Sequence, residues 1–287
     1  MKYETASEWT DAAQKKVLLF AMSGLGKTHV SAMLGKTRDW FHYSIDYRIG
    51  TRYMDDYIND NAKIEAIKIP FLRELLQNSN IQIGSNISFD NLTSVSNYLG
   101  KPGNLAKGGL AMAEYQRRQG QFRLAELEAL RDTHYFIDRA QAVYGYQHFI
   151  CDTGGSICEW VNANDPGDPL LKMLSNNCLM VWIEGNDDHT SDLVQRFDKA
   201  PKPMAYEPDF LLRTWQEYLS ENDILEVEVD PDTFIRWTYA RALAHRQPRY
   251  EAMAKNWGIT VQASDMATVR DEFDFVNLIA RGIALLA

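Results

Sequence analysis

Short apolar runs bounded by turn residues punctuate this chain at 16–21, 40–45, 148–151 and 179–184, and each has the length and content of a buried β-strand. Between them, hydrophobic positions recur at helical spacing, most clearly over 115–135, where Leu124, Leu127 and Leu130 fall on one predicted face. Buried strands that alternate with helices predict a mainly parallel sheet covered on both sides, a three-layer α/β domain. Two stretches depart from this pattern. The segment 53–109 is rich in Asn, Ser and Gly with one amphipathic piece at 69–77, and reads as an inserted subdomain outside the sheet. A second expanded region, 209–244, carries Trp215, Tyr218, Phe234, Trp237 and Tyr239, aromatics whose spacing predicts packing. Apolar and acidic residues alternate from Ile224 to Val229, predicting a short half-exposed strand rather than a pair of acids at a site.

The most specific chemistry lies directly after the first predicted strand, in Ala21-Met22-Ser23-Gly24-Leu25-Gly26-Lys27-Thr28. A strand that hands the backbone to a glycine turn before a helix presents N–H groups to a concavity that a phosphate can fill. This is the pattern of a phosphate-binding loop, with Ala21 at a position that requires only a small residue. Ser23, Gly24, Leu25, Gly26, Lys27, Thr28 and His29 are the predicted nucleotide-contacting stretch. Lys27 would reach the β- and γ-phosphates, and Thr28 would hold Mg²⁺.

Charge and cysteine content narrow the classes. The 287 residues carry 30 Lys and Arg against 39 Asp and Glu, a formal charge of -9, which argues against a long nucleic-acid footprint. No segment has the composition of a membrane span, and the first residues lack the basic and apolar regions of a signal peptide, so the chain reads as its own mature form. Three cysteines, Cys151, Cys158 and Cys178, neither pair evenly nor show metal-finger spacing, which suggests a reducing cytoplasm. The six histidines show no metal-site pairing and read as packing or surface residues.

Further motifs become specific through their order. Asp46 follows the second predicted strand, at the carboxyl end of the sheet where open α/β folds bind ligands. Phe122-Arg123-x-x-Glu126 opens a predicted helix, Asp152-Thr153-Gly154-Gly155-Ser156 ends the third strand in a glycine turn, and Arg246-x-x-x-Tyr250-x-x-x-Ala254 begins a further helix. With the phosphate loop, this ordered set resembles the shikimate kinase family of P-loop kinases, over most of the chain outside the two enlarged regions. The sequence departs from the family at Ser44, where an aspartate pair has its first member, at Ser156 in the glycine turn, and at Lys202, which stands where the lid carries arginine. Asp152, at the end of the third strand, is the candidate to supply the missing Mg²⁺-orienting carboxylate.

The resemblance implies a single P-loop kinase-like domain over 1–287, with 53–109 as an insertion on the acceptor side and 196–245 as a lid and expanded helical region. It implies ATP- and Mg²⁺-dependent phosphoryl transfer to a small hydroxylated, anionic metabolite. Lys27 and Lys202 would supply positive charge, and Asp46 would orient the acceptor hydroxyl and take its proton. Arg123 and Arg246 would clamp an acceptor carboxylate, Gly154 and Gly155 would bring backbone N–H groups to it, and Arg196 would stack on adenine. The alternative reading is a regulatory P-loop ATPase whose insertion binds a protein partner.

Overall fold

The structure, a computed structural model, describes residues 3–286. Five strands, β1 Lys16–Phe20, β2 Trp40–Ser44, β3 His148–Asp152, β4 Leu179–Glu184 and β5 Gly258–Gln262, form one sheet in the order β2-β3-β1-β4-β5 with every pair parallel. The central strands are buried almost throughout, as near-continuous apolar runs between two helical layers must be. The helix Lys27–Gly35 packs on β2 and β3, and the helix Thr133–Ala142 packs on the same two strands. The right-handed rule for parallel crossovers predicts these helices on opposite faces, because one connection runs outward to the edge and the other runs back.

Beyond β1 and β4 the chain leaves in opposite directions, toward the β2 edge and the β5 edge respectively. Such a divergence opens a crevice at the carboxyl ends of the strands, and the phosphate loop leaves β1 there. The four predicted strands agree with the structure to within one residue at each end. The fifth, β5, has little signal of its own. It is five residues long and follows the helix Pro231–Trp257 with no intervening turn.

The chain divides into two compact units. The first comprises Met1–Ile45, Leu127–Pro201 and Arg236–Ala287 and contains the whole sheet. The second comprises Asp46–Glu126 and Lys202–Ile235 and is helical, with Asp55–Ile67, Pro70–Gln77, Thr93–Leu99 and Pro208–Asn222 among its elements. Within it, the buried Arg118 donates to Glu114 Oε1 at 2.7 Å and Asn61 Oδ1 at 3.0 Å. Gln119 grips the passing chain by donating to Met204 O at 2.9 Å and accepting from Tyr206 N at 3.0 Å. Trp215 and Tyr218 meet Phe234 edge-on at 4.9 and 5.3 Å between ring centres, the packing that their spacing predicted.

Several local expectations are corrected. Leu124 is 63% exposed, and the buried face of the helix Met112–Arg131 runs instead through Tyr115, Phe122, Ala125, Ala129 and Leu130. Phe122 and Arg246 both lie inside long helices rather than at their starts. The residues 224–229 form a single 3₁₀ turn, Glu226–Glu228, with Leu225 and Val227 pointing to water and no strand beside them to reward the alternation. The acidic residues Asp187 and Asp188 open the helix Asp187–Lys199, capped by Asn186, where they favour the positive end of its dipole.

Candidate functional site

At the end of β1 the backbone turns through Gly24 at φ +87° and Gly26 at φ +91°, a left-handed region that L side chains rarely adopt. Gly26 is the N-cap of the helix Lys27–Gly35, and no side chain caps that end, so the first-turn N–H groups face the loop's concavity unoccupied by a side-chain acceptor. Lys27 is buried, and its ammonium donates to Ala21 O at 2.8 Å and Met22 O at 2.9 Å. The loop thus holds a desolvated cation on its own carbonyls, from which an arriving anion can draw it.

Beside the loop, Thr28 Oγ1 donates to Asp152 Oδ2 at 2.7 Å. Asp152 is buried at the end of β3, level with Leu19 of β1 on one side and Ser44 of β2 on the other. His42 of β2 reaches its second oxygen, Nε2 to Oδ1, at 3.0 Å. A hydroxyl and a carboxylate in contact at a helix N-terminus are hard oxygen donors that suit Mg²⁺. Among the described residues there is no cluster of three or more His, Cys, Asp or Glu that would hold a metal ion without help from a ligand, and Mg²⁺ in phosphate sites commonly relies on few protein ligands plus the phosphates.

The turn after β3 runs alongside. Thr153 pins it through its N and Oγ1, each 3.1 Å from Leu19 O. A Cβ placed on Gly155 would stand 3.5 Å from Ser23 N and 3.7 Å from Arg246 Nη1, so the turn passes close against both the loop and that arginine. Tyr250 Oη donates to Gly155 O. Arg246 is itself buried, its Nε on Glu159 Oε1 at 2.6 Å, and His245 Nε2 lies 3.3 Å from the other Glu159 oxygen. Burial pushes the Glu159 carboxyl up, but His245 and Arg246 outweigh it and hold the group below its ordinary range. Burial also drives the Tyr250 phenol well above its usual value, so it stays a hydrogen-bond donor.

Among the predicted residues, the first unit brings Ser23, Gly24, Lys27, Thr28, Asp152, Gly155 and Arg246 to one end of the sheet. Arg196 joins them, its guanidinium 3.6 Å from the position a Cβ on Gly24 would take. Leu25 is buried against Gly185, Gly154 is buried in the turn, and His29 is exposed. The second unit carries Asp46, half-buried, Arg123, exposed on the helix Met112–Arg131, and Lys202, exposed. Two residues escaped the sequence reading. His42, which the sequence marks only as a packing or surface residue, bonds Asp152, and Glu159, which no motif singles out, holds Arg246. Neither lies near its partner in sequence, and only the parallel pairing of β2 with β3 brings His42 to Asp152.

No family model and no curated protein matches the chain. Among solved structures it is similar to a shikimate kinase from Bacteroides thetaiotaomicron, at 14% identity over 95% of this chain and 98% of that one, with a TM-score of 0.38. At that level the reading of the site rests on the sheet and the loop themselves. The three cysteines are buried and none is in a disulfide, and no helix among the described residues is long and apolar enough to cross a membrane.

Proposed function

We propose that this protein binds ATP with Mg²⁺ and transfers the terminal phosphoryl group to a small hydroxylated, anionic metabolite. The observation that carries the reading is the contact of Thr28 with Asp152 at the N-terminus of a helix whose preceding loop turns on Gly24 and Gly26. On this reading the nucleotide phosphates displace Ala21 O and Met22 O from Lys27, and the ammonium follows the charge it can neutralise. The backbone N–H groups from Ser23 to Thr28 hold the phosphate oxygens in place, which supplies the positioning that phosphoryl transfer needs. When bound, Mg²⁺ would neutralise charge on the phosphate oxygens. Thr28 and Asp152 are the residues that would hold it.

Asp46 is assigned the acceptor hydroxyl, whose proton it would take, and Arg123 and Arg246 its acidic group. For Arg246 this means serving the acceptor with its Nη groups while Nε stays on Glu159. Lys202 would add charge over the transferring group, and Arg196 would stand against the nucleotide. The deciding experiment is phosphorylation of a panel of small hydroxy acids with labelled ATP, read beside calorimetry of ATP and Mg²⁺ on the native protein and Lys27→Ala. Loss of nucleotide binding in the variant together with a labelled product establishes the reading, and unaltered binding refutes it.

A second reading keeps the nucleotide site and makes the protein a regulatory ATPase whose segment 53–109 binds a protein. It is favoured by the exposure of Ile64, Ile69 and Phe71, 60%, 52% and 69%, in a helical pair whose second member buries no residue.

A further inference from the structure

We infer that His42 is a positioning residue that fixes the Asp152 carboxylate, and through it the Thr28 hydroxyl, so that metal-dependent nucleotide binding depends on an imidazole from the neighbouring strand. The inference rests on the nucleotide-binding reading above and concerns how its metal end is held. Each Asp152 oxygen has its own donor: Thr28 Oγ1 on Oδ2 at 2.7 Å and His42 Nε2 on Oδ1 at 3.0 Å. A carboxylate only accepts, so the imidazole presents Nε2–H and the threonine spends its single hydrogen on Asp152. The lone pairs of Thr28 Oγ1 are thereby left for a cation.

The site is built for this contact. His42 and Asp152 side chains are 11% and 4% exposed, and their parent strands pair in register from Trp40 opposite His148 to Ser44 opposite Asp152. The helix that begins with Lys27 and Thr28 ends at Gly35, and a Cβ there would stand 3.2 Å from His42 Cβ. One helix therefore presents its hydroxyl to Asp152 at one end and leaves room for the imidazole at the other. Without the imidazole donor, the carboxylate is free to turn about its Cβ–Cγ bond, and the Thr28 hydroxyl loses its fixed direction. A buried acceptor left short of a donor is the costly case in hydrogen bonding.

The test is calorimetry of ATP with Mg²⁺ and of ATP with EDTA on the native protein, His42→Ala, His42→Leu and His42→Gln. Leucine keeps the side-chain volume without a donor, and glutamine returns an N–H at similar reach. The expected result is that Mg²⁺ strengthens ATP binding to the native protein, that this gain shrinks about tenfold in the alanine and leucine variants while EDTA affinities stay level, and that glutamine restores most of it. Should alanine lower the melting temperature below that of the assay, the leucine and glutamine pair decides alone. A full metal-dependent gain in His42→Leu would overturn the inference and leave nucleotide binding standing. Absence of ATP binding by the native protein under both conditions would overturn both.

Discussion

Arg246 donates through Nε to Glu159 Oε1 at 2.6 Å, with both side chains withdrawn from water and His245 Nε2 3.3 Å from the other carboxylate oxygen. Removing one member of such a pair leaves the other charge buried and uncompensated. Glu159→Gln should therefore lower unfolding free energy by about 3–5 kcal/mol in urea titration, far more than an exposed pair would cost. The same pair sets an acid dependence. Because the folded-state carboxyl of Glu159 lies below its ordinary 4.5, its contribution is complete above that value and is lost as pH falls through the lower folded one. Stability of the native protein should fall in that acid range, and the Glu159→Gln variant should lose less there. Parallel acid profiles for the two proteins would count against the pair.

Lys27 holds its ammonium on Ala21 O and Met22 O at 2.8 and 2.9 Å, and on the proposed reading a bound phosphate would draw it away. Lys27→Ala should weaken ATP binding roughly 10- to 100-fold, the worth of a hydrogen bond to a charged group. The ammonium bonds carbonyls of its own loop, so the fold should survive and circular dichroism should be unchanged. Equal affinities by calorimetry would remove the loop from the nucleotide site.

How far sequence led can be judged residue by residue. The strands and the phosphate loop were legible because both are local: an apolar run is set by its own residues, and the left-handed turn demands Gly24 and Gly26 wherever the chain folds. Asp152 was reachable for a similar reason, since it ends a strand. His42 was not, because its meaning comes from the pairing of β2 with β3, 110 residues apart, and no local pattern encodes that distance. Leu124 shows the same limit from the other side. Periodicity places it among leucines, yet Ala125 and Ala129 lie on the buried face while Leu124 faces water. At 224–229 an alternating pattern had no neighbouring strand to pair with, and the chain settled into a 3₁₀ turn.

Gly26 tests the loop's backbone separately from its charge. It sits at φ +91° and ψ -2°, and a Cβ there would meet no atom within 4 Å, so substitution costs backbone strain without a clash. Gly26→Ala should destabilise the protein by about 1–2 kcal/mol, the usual penalty for holding an L residue in the left-handed region. The turn relaxes to relieve that strain, which should also weaken ATP binding. An unchanged melting temperature with unchanged ATP affinity would show that the turn does not require glycine.

Asp46 separates transfer from mere hydrolysis. It follows β2 at the start of the short helix Ile45–Arg48, whereas Lys27 and Thr28 follow β1. If Asp46 takes the proton of an acceptor hydroxyl, Asp46→Asn keeps the shape of the side chain but cannot accept that proton. Transfer should then fall by about 10²- to 10⁴-fold, the ordinary worth of a positioned general base, while calorimetric ATP affinity stays nearly constant. A regulatory ATPase behaves otherwise. There the same substitution leaves hydrolysis nearly intact, and deletion within 53–109 abolishes binding of a partner. Labelled ATP offered with a broad extract of small hydroxy acids, native protein against Asp46→Asn, reads the two outcomes in one experiment. A phosphorylated product that disappears with Asp46→Asn establishes the kinase, and Asp46-independent hydrolysis with no product in any fraction establishes the regulator in its place.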